Sequence, residues 1–582
     1  MKKTVSVIMV LVIVFSFFSI IFAFAENEEI TLEEYSSQLS ELTKTYGIES
    51  IGGITEGTNL SEISLNRLIV KTTDNNSLEE DFGAVAKIEG YDGIHVLQYT
   101  STNLTNQAYE EYIGLPNVEF VEYDFAYQSL EPETEYIEYE YNKKYLSWGS
   151  TAVKVNEAVM YANYLDTDAQ EIVVAVIDTG IDADHSFFHN RLINSGIDLV
   201  ENDKNPDDDH GHGTHVAGII VDNTAENVKI SGYKTIDYEG NGYYSITCAA
   251  IEEAITDDVD IINMSLRWKK TKECYNLFEE KIQKAVNNGI SVVVGSGNEN
   301  INASMCCPAS NNDVITVAAT TIANIPWAYS NYGDCVDIAA PGENIRSTIP
   351  GGLKEEKSGT SMATPFVSAA AAFLKTLNPN YSPETIKNII KENVFIPENW
   401  NTDYGTGILD FSKIVSKCIS PYPKITLNAN KKAEISTEVE DAIIYYTINN
   451  SKPIPGVSSV YSEPIDITEA ISIKAIVVEK DKFPSTAATL KINWSEDITI
   501  RYKETKNLLL PPNRRISLSN SSNSDVVSVN SLNQTIYGVS IGNAKVTVYL
   551  STGQKVTYNV TVEYALWQEI LIYFFFGFLW YI

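Results

Sequence analysis

Positive charge is scarce in this chain: 42 Lys and Arg stand against 77 Asp and Glu, a formal net charge of −35. Nucleic-acid phosphates are gripped by clustered cations, so nucleic acid is excluded as a partner. Cysteine is sparse too, six in 582 residues (248, 274, 306, 307, 335 and 418), with no CxxC or Cys/His spacing of a zinc framework. In an exported chain six cysteines could pair, or they could stay as buried thiols; both readings are open. Adjacent Cys306 and Cys307 could not bridge each other without strain. Histidine is equally rare, yet three of the six, His210, His212 and His215, fall in DDDHGHGTHVAG (207–218). Their spacings are two and three with no HExxH, which excludes the zinc-peptidase helix.

What is present describes a globular protein: 44% of residues are apolar and 20% charged. At 582 residues the chain exceeds one ordinary core, so several domains are expected. Residues 1–25 carry Lys2 and Lys3, an apolar run over Val5–Phe24 and the small-x-small Ala23-Phe24-Ala25, the pattern of a signal peptide. The run is long enough that an uncleaved anchor is the alternative. Either way the chain is exported.

Residues 60–128 read as a small α+β domain, with strands RLIVKTT (67–73), GAVAKIEG (83–90), GIHVLQYT (93–100) and NVEFVEYD (117–124) and a helix over 104–114. Residues 129–147 are acidic and tyrosine-rich, a linker. From 148 to 418 apolar runs, EIVVAVID (171–178), DIINMSL (260–266), ISVVVGSG (290–297) and DVITVAAT (313–320), alternate with helical spacing over 246–256 and 278–288. Continuous apolar runs suit strands buried on both faces, so the spacing predicts an α/β domain with a doubly wound parallel sheet. Residues 421–495 and 496–563 read as two all-β sandwiches. Residues 565–582 form an apolar tail; membrane contact is favoured over a buried last element.

Three segments supply the parts of a serine hydrolase. Asp178 ends a strand, His212 lies where small residues lead into a helix, and Ser361 lies in SGTSMATPFVSAAAAFL (358–374) before an apolar helix. A serine hydroxyl is a poor nucleophile until an imidazole, held in one tautomer by a buried carboxylate, takes its proton. Asn298, after the strand of ISVVVGSGNEN (290–300), supplies with the Ser361 N–H an oxyanion donor pair.

AVIDTGID (175–182), HGTHVAG (212–218), NMSL (263–266), GSGNEN (295–300), APG (340–342) and GTSMATP (359–365) resemble, in order, the signature segments of the subtilisin-like serine peptidases. The likeness spans about 148–415. It implies a secreted serine endopeptidase acting on polypeptides, with Asp178 orienting, His212 as acid/base, Ser361 as nucleophile and Asn298 as oxyanion donor. Ser265, Leu266 and Arg267 on one strand edge and Gly295, Ser296 and Gly297 on the other would grip an extended substrate. No catalytic cofactor is implied. The usual calcium loop after the catalytic-histidine helix is missing from 218–233, and Phe187 stands where an acidic ligand is common, so no calcium is expected there. Asp207–Asp209 could hold a structural calcium, but a solvated acidic turn is the expectation.

Arg267-Trp268 departs from the small residues usual after NMSL. A bulky cation here should narrow or charge the subsites near the scissile bond and weaken acceptance of basic side chains, with a preference for acidic or polar ones as the further expectation; Cys306-Cys307 should lie near the primary pocket. Residues 60–128 resemble the inhibitory propeptides of these peptidases, which implies a zymogen that cuts itself within about 125–147 and has its own propeptide as a partner. Residues 442–477 resemble the chitobiase-type β-sandwich and 525–550 a group 2 bacterial immunoglobulin-like module. They imply spacing or adhesion, with cell-surface or membrane contact through the tail. A competing reading is a surface adhesin whose α/β domain has lost catalysis and only binds peptides; another is a metal-dependent hydrolase using the Asp/His cluster.

Overall fold

Alternating apolar residues build the first sheet. The computed structural model describes residues 37–39, 41–42, 64–73, 78, 81–128, 145–165, 170–193, 196–201, 205–269, 276–428, 432–467, 472–491, 494–508, 510, 515–550 and 555–565. The expected signal peptide, most of the linker, Cys274 and nearly all of the apolar tail lie outside these residues. Strands β1 (Ser64–Thr72), β2 (Ala86–Tyr91), β3 (Ile94–Gln98) and β4 (Val118–Gln128) pair antiparallel in the order β2-β3-β1-β4. Helix α1 (Thr102–Ile113) starts at Ser101, whose side chain accepts the Leu104 N–H.

The second layer system is the α/β sheet. Its elements are β5 (Ile172–Asp178), α2 (His212–Asp222), β6 (Val228–Lys234), β7 (Asn241–Tyr243), α3 (Tyr244–Thr256), β8 (Ile261–Met264), α4 (Asn276–Asn287), β9 (Ser291–Gly295), β10 (Ile315–Thr320) and β11 (Ile338–Pro341). A hairpin of β12 (Ile345–Ile349) and β13 (Leu353–Lys357) follows, then α5 (Thr360–Leu377), β14 (Val394–Phe395) and β15 (Ile408–Leu409). The sheet order is β14-β15-β11-β10-β9-β8-β5-β6, parallel except for the β14 edge. From β5 the chain passes to β6 on one side and returns to β8 on the other. The carboxyl ends of β5 and β8 therefore flank a switch point, where open α/β sheets leave a crevice. Strands such as SVVVG (β9) and ITVAAT (β10) are buried throughout, which is why they read as unbroken apolar runs. Each such aliphatic side chain contributes roughly 1.5–3 kcal/mol on burial.

The N-terminal sheet does not stand apart from this layer. Its edge strand β4 pairs with β7 through Ala126↔Tyr243, Tyr127↔Gly242 and Gln128↔Asn241. Ile69, Ile88, Ile94 and Val96 share one apolar cluster with Tyr244, Ala249 and Phe278. Two carboxylates satisfy helix N-termini across the junction: Asp124 accepts Ser245 N–H at 3.1 Å and Ser245 O–H at 2.7 Å, and Glu122 accepts the N–H groups of Asn276 and Leu277. Arg67, itself buried, pairs with Asp124 at 3.2 Å.

Residues 415–582 form a second compact unit. After the end of a helix at Phe411–Cys418, its described part is all β: sheets of three and four strands over 424–491, and sheets of four and three over 494–563, each stretch with its own apolar cluster. No helix among the described residues is long and apolar enough to cross a membrane.

Candidate active site

Strand β5 delivers Asp178 to the carboxyl edge of the sheet, fully buried. Its Oδ1 accepts the Thr179 N–H at 2.8 Å and lies 2.7 Å from His212 Nδ1. A carboxylate can only accept, so Nδ1 carries the proton and Nε2 keeps its lone pair, the tautomer a general base needs. His212 is the first residue of α2, and its pose depends on how that helix begins.

Asp208 holds the start of α2. Its Oδ1 accepts Thr179 O–H (2.8 Å), Gly211 N–H (2.7 Å) and His210 N–H (3.1 Å); Oδ2 accepts Thr214 N–H (2.9 Å) and O–H (2.6 Å). The Thr179 hydroxyl accepts Gly213 N–H in turn, at 2.8 Å. A negative side chain at a helix N-terminus is favoured both by these donors and by the helix dipole. Gly213 is required by close approach: a Cβ there would sit 2.1 Å from the Gly180 carbonyl oxygen. The expectation of a solvated acidic turn holds for Asp207 and Asp209, which are exposed, and is corrected for Asp208. Asp208 is buried, Asp209 pairs with buried Lys234 at 2.6 Å, and partial desolvation with the neighbouring carboxylates raises the Asp207 carboxyl above its usual range. His215 is buried in α2 with Nε2 3.1 Å from the Glu355 carbonyl, and His210 is half-buried in the loop.

Helix α5 packs against α2 and carries Ser361 as its second residue, buried. Pro365, four residues on, has no N–H to give the Ser361 carbonyl. The Ser265 hydroxyl donates to that carbonyl instead, at 2.9 Å, while Ser361 O–H donates to Ser265 O at 3.1 Å. Asn263 Nδ2 donates to Ser265 Oγ (3.2 Å) and Ser368 O–H to Asn263 Oδ1 (2.8 Å), so the end of β8 and α5 are joined by a buried polar chain.

Asn298 follows β9 and is oriented by Thr360. Its Oδ1 accepts both Thr360 N–H and Thr360 O–H at 2.9 Å. The amide nitrogen is thereby turned the other way; a Cβ on Gly359 would lie 3.0 Å from it, so glycine leaves that approach open. Thr360 escaped the sequence reading although it sits beside Ser361. Its role depends on a partner 62 residues away. Thr360→Val is expected to lower kcat about three- to tenfold with KM nearly unchanged, the scale of one hydrogen bond aimed at the transition state. Steady-state kinetics on a peptide substrate check this; a raised KM at constant kcat would contradict it.

Ser265, Leu266, Arg267, Gly295, Gly297, Asn298, Thr360 and Ser361 line one cleft. Ser296 is different: it is fully buried and its hydroxyl donates to the Asn331 carbonyl at 3.2 Å, so only its backbone belongs to the edge. Arg267 is ion-paired with Glu299, so it is not a lone cation. Trp268, the next residue, is not among those that line this cleft. It is buried edge-on against Tyr244 (5.4 Å) and Phe278 (5.1 Å), a core residue. Cys306 and Cys307 pair with Lys269 and Trp268 in a two-residue ladder. Cys306 and Cys418 are buried free thiols, each pushed up to about 11 by burial.

Comparison with known proteins is consistent with this geometry. A model described as the subtilase family matches residues 169–412, and one described as Fn3 associated matches 433–492. Alkaline serine exoprotease A of Vibrio alginolyticus is 32% identical over 302 residues, covering 51% of this chain and 55% of that protein. Subtilisin-like protease 6 of Arthroderma benhamiae is 34% identical over 303 residues (49% and 71%). Subtilisin NAT of Bacillus subtilis subsp. natto is 31% identical over 322 residues (53% and 78%). The chain thus spans about half of the Vibrio protein and over two thirds of the other two.

Proposed function

The chain belongs to the subtilase family of serine-type endopeptidases, and on that premise we propose that it is an exported peptidase acting through Asp178, His212 and Ser361. The observation that carries this reading is the 2.7 Å contact of His212 Nδ1 with a fully buried Asp178, on a helix packed against the one bearing Ser361. Ser361 O–H leaves the Ser265 carbonyl and turns to His212 Nε2, which takes the proton as Oγ bonds to the substrate carbonyl carbon. The oxyanion meets Asn298 Nδ2 and the Ser361 N–H. Collapse breaks the C–N bond as His212 returns the proton to the leaving amine. Water, deprotonated by His212, then cleaves the acyl-enzyme.

The same reading makes residues 60–128 a propeptide and the chain a self-processing zymogen. Its support is the β4–β7 pairing and the capping of α3 and α4 by Asp124 and Glu122. The cut falls within about 125–147, after which polypeptides from outside replace the chain's own segment. Export rests on the basic and apolar pattern of residues 1–25, and surface retention on the β modules and the tail. Catalysis on this reading needs no cofactor.

The test is fluorophosphonate labelling of the full chain after self-processing. Labelling is expected and is lost in Ser361→Ala processed in trans. Correctly processed protein that takes no label favours the peptide-binding scaffold instead, and chelator-sensitive hydrolysis favours a metal-dependent enzyme.

A further inference from the structure

The cleft contains a charge that peptide hydrolysis itself does not use. Arg267 leaves the end of β8 and lies along Gly297, where an added Cβ would meet Arg267 Cδ at 2.7 Å. Its stem therefore crosses between the two edges that would hold a substrate strand. The side chain is 15% exposed, and among the described residues its one ion pair is Nη2 with Glu299 Oε1.

Glu299 is fixed from behind. Asn331 Nδ2 donates to Glu299 Oε2 at 3.0 Å, and Asn331 Oδ1 accepts the N–H groups of Glu299 and Ile301, each at 3.0 Å. A guanidinium has five N–H donors in a rigid fork, and this carboxylate uses one end of it. Arg267 Nε is buried and has no hydrogen-bond partner among the described residues. Such an orphaned charged donor is costly unless an acceptor arrives. Cys306, which the Arg267 side chain also meets, stays a neutral thiol and cannot supply a second negative charge.

Resting on the peptidase reading above, we infer that Arg267 is the specificity-determining residue of the cleft and takes an acidic side chain on the substrate residue that supplies the scissile carbonyl. That carbonyl sits between Ser361 and Asn298, so the side chain beside it enters the slot lined by Leu266, Arg267 and Gly297. Its carboxylate meets the Nε face of the fork while Glu299 holds Nη2. A lysine in the same slot would face a like charge.

The experiment uses the full-length processed chain and internally quenched peptides that differ only in the residue before the scissile bond: Glu, Ala or Lys. Wild type is expected to rank them Glu, Ala, Lys in kcat/KM. Arg267→Gln lowers the Glu/Ala ratio about tenfold or more, the scale on which a site built for a polar partner discriminates. Glu299→Gln keeps an acceptor for Nη2 but removes a like charge, and raises the ratio about threefold. A ratio unchanged in Arg267→Gln, or a wild-type preference for Lys over Glu, overturns the inference while fluorophosphonate labelling leaves the peptidase reading intact. Absence of both labelling and hydrolysis sinks that reading and this inference with it.

Discussion

Replacing His212 by Ala lowers kcat by about 10⁶-fold, and Ser361→Ala/His212→Ala together cost little more than either alone. Nucleophile and base act as one unit: without the imidazole the Ser361 hydroxyl stays protonated, and without the hydroxyl the imidazole has nothing to activate. The scale is that of subtilisin, in which losing the serine or the histidine alone costs about as much as losing the whole triad. The residual rate belongs to Asn298, the Ser361 N–H and the strand edges, which the substitutions leave in place. Asp178 would lose its imidazole partner, but the α2 cap at Asp208 does not involve the His212 side chain, so the helix start survives. All three variants are processed by adding wild-type enzyme in trans, and single-turnover hydrolysis of a peptide anilide reads the loss. Additive losses, or a His212→Ala deficit under about a hundredfold, would remove His212 from the chemistry.

Asp178→Asn is expected to lower kcat by about 10³–10⁴-fold while leaving KM within a few-fold. Asp178 is shielded from water, and its Oδ2 has no hydrogen-bond partner among the described residues, so its charge serves His212 and the Thr179 N–H alone. A neutral amide leaves the imidazolium of the transition state uncompensated. At an effective dielectric constant near 20, a charge pair about 4 Å apart is worth roughly 4 kcal/mol, or about a thousandfold. If the Thr179 N–H keeps the amide oxygen in the Oδ1 position, the His212 tautomer survives and the loss stops near that figure. If the amide turns its nitrogen to Nδ1, the wrong tautomer follows and the loss approaches about 10⁴. A deficit below about tenfold would show that the carboxylate has no electrostatic part in the reaction.

Much of this site was legible before folding. The strand ending at Asp178, the helix starting at His212 and the apolar helix after Ser361 announce themselves through local composition, because burial on two faces forces continuous apolar runs. The residues proposed to react sit at strand ends and helix starts, features written over a few neighbouring positions. The antiparallel strands of residues 64–128 were readable for the same reason.

Other facts depend on which distant segments meet. DDDHGHG read as a solvated turn because adjacent carboxylates usually repel into water; only the fold shows Asp208 enclosed by donors from Thr179, Gly211 and Thr214. Arg267 and Trp268 read together as one departure after NMSL, yet one side chain lines the cleft and the other packs on Tyr244 and Phe278. Thr360 and Glu299 carried no signal at all, since their roles lie in Asn298 and Arg267 as partners. By itself, then, the sequence determined the order of elements, the burial of each strand and the polar residues proposed to react at their ends, all set by chain-local periodicity. Tertiary structure alone decided how those residues are oriented and which charges are paired, because a hydrogen bond between residues 29 to 62 apart exists only once the sheet has brought them together.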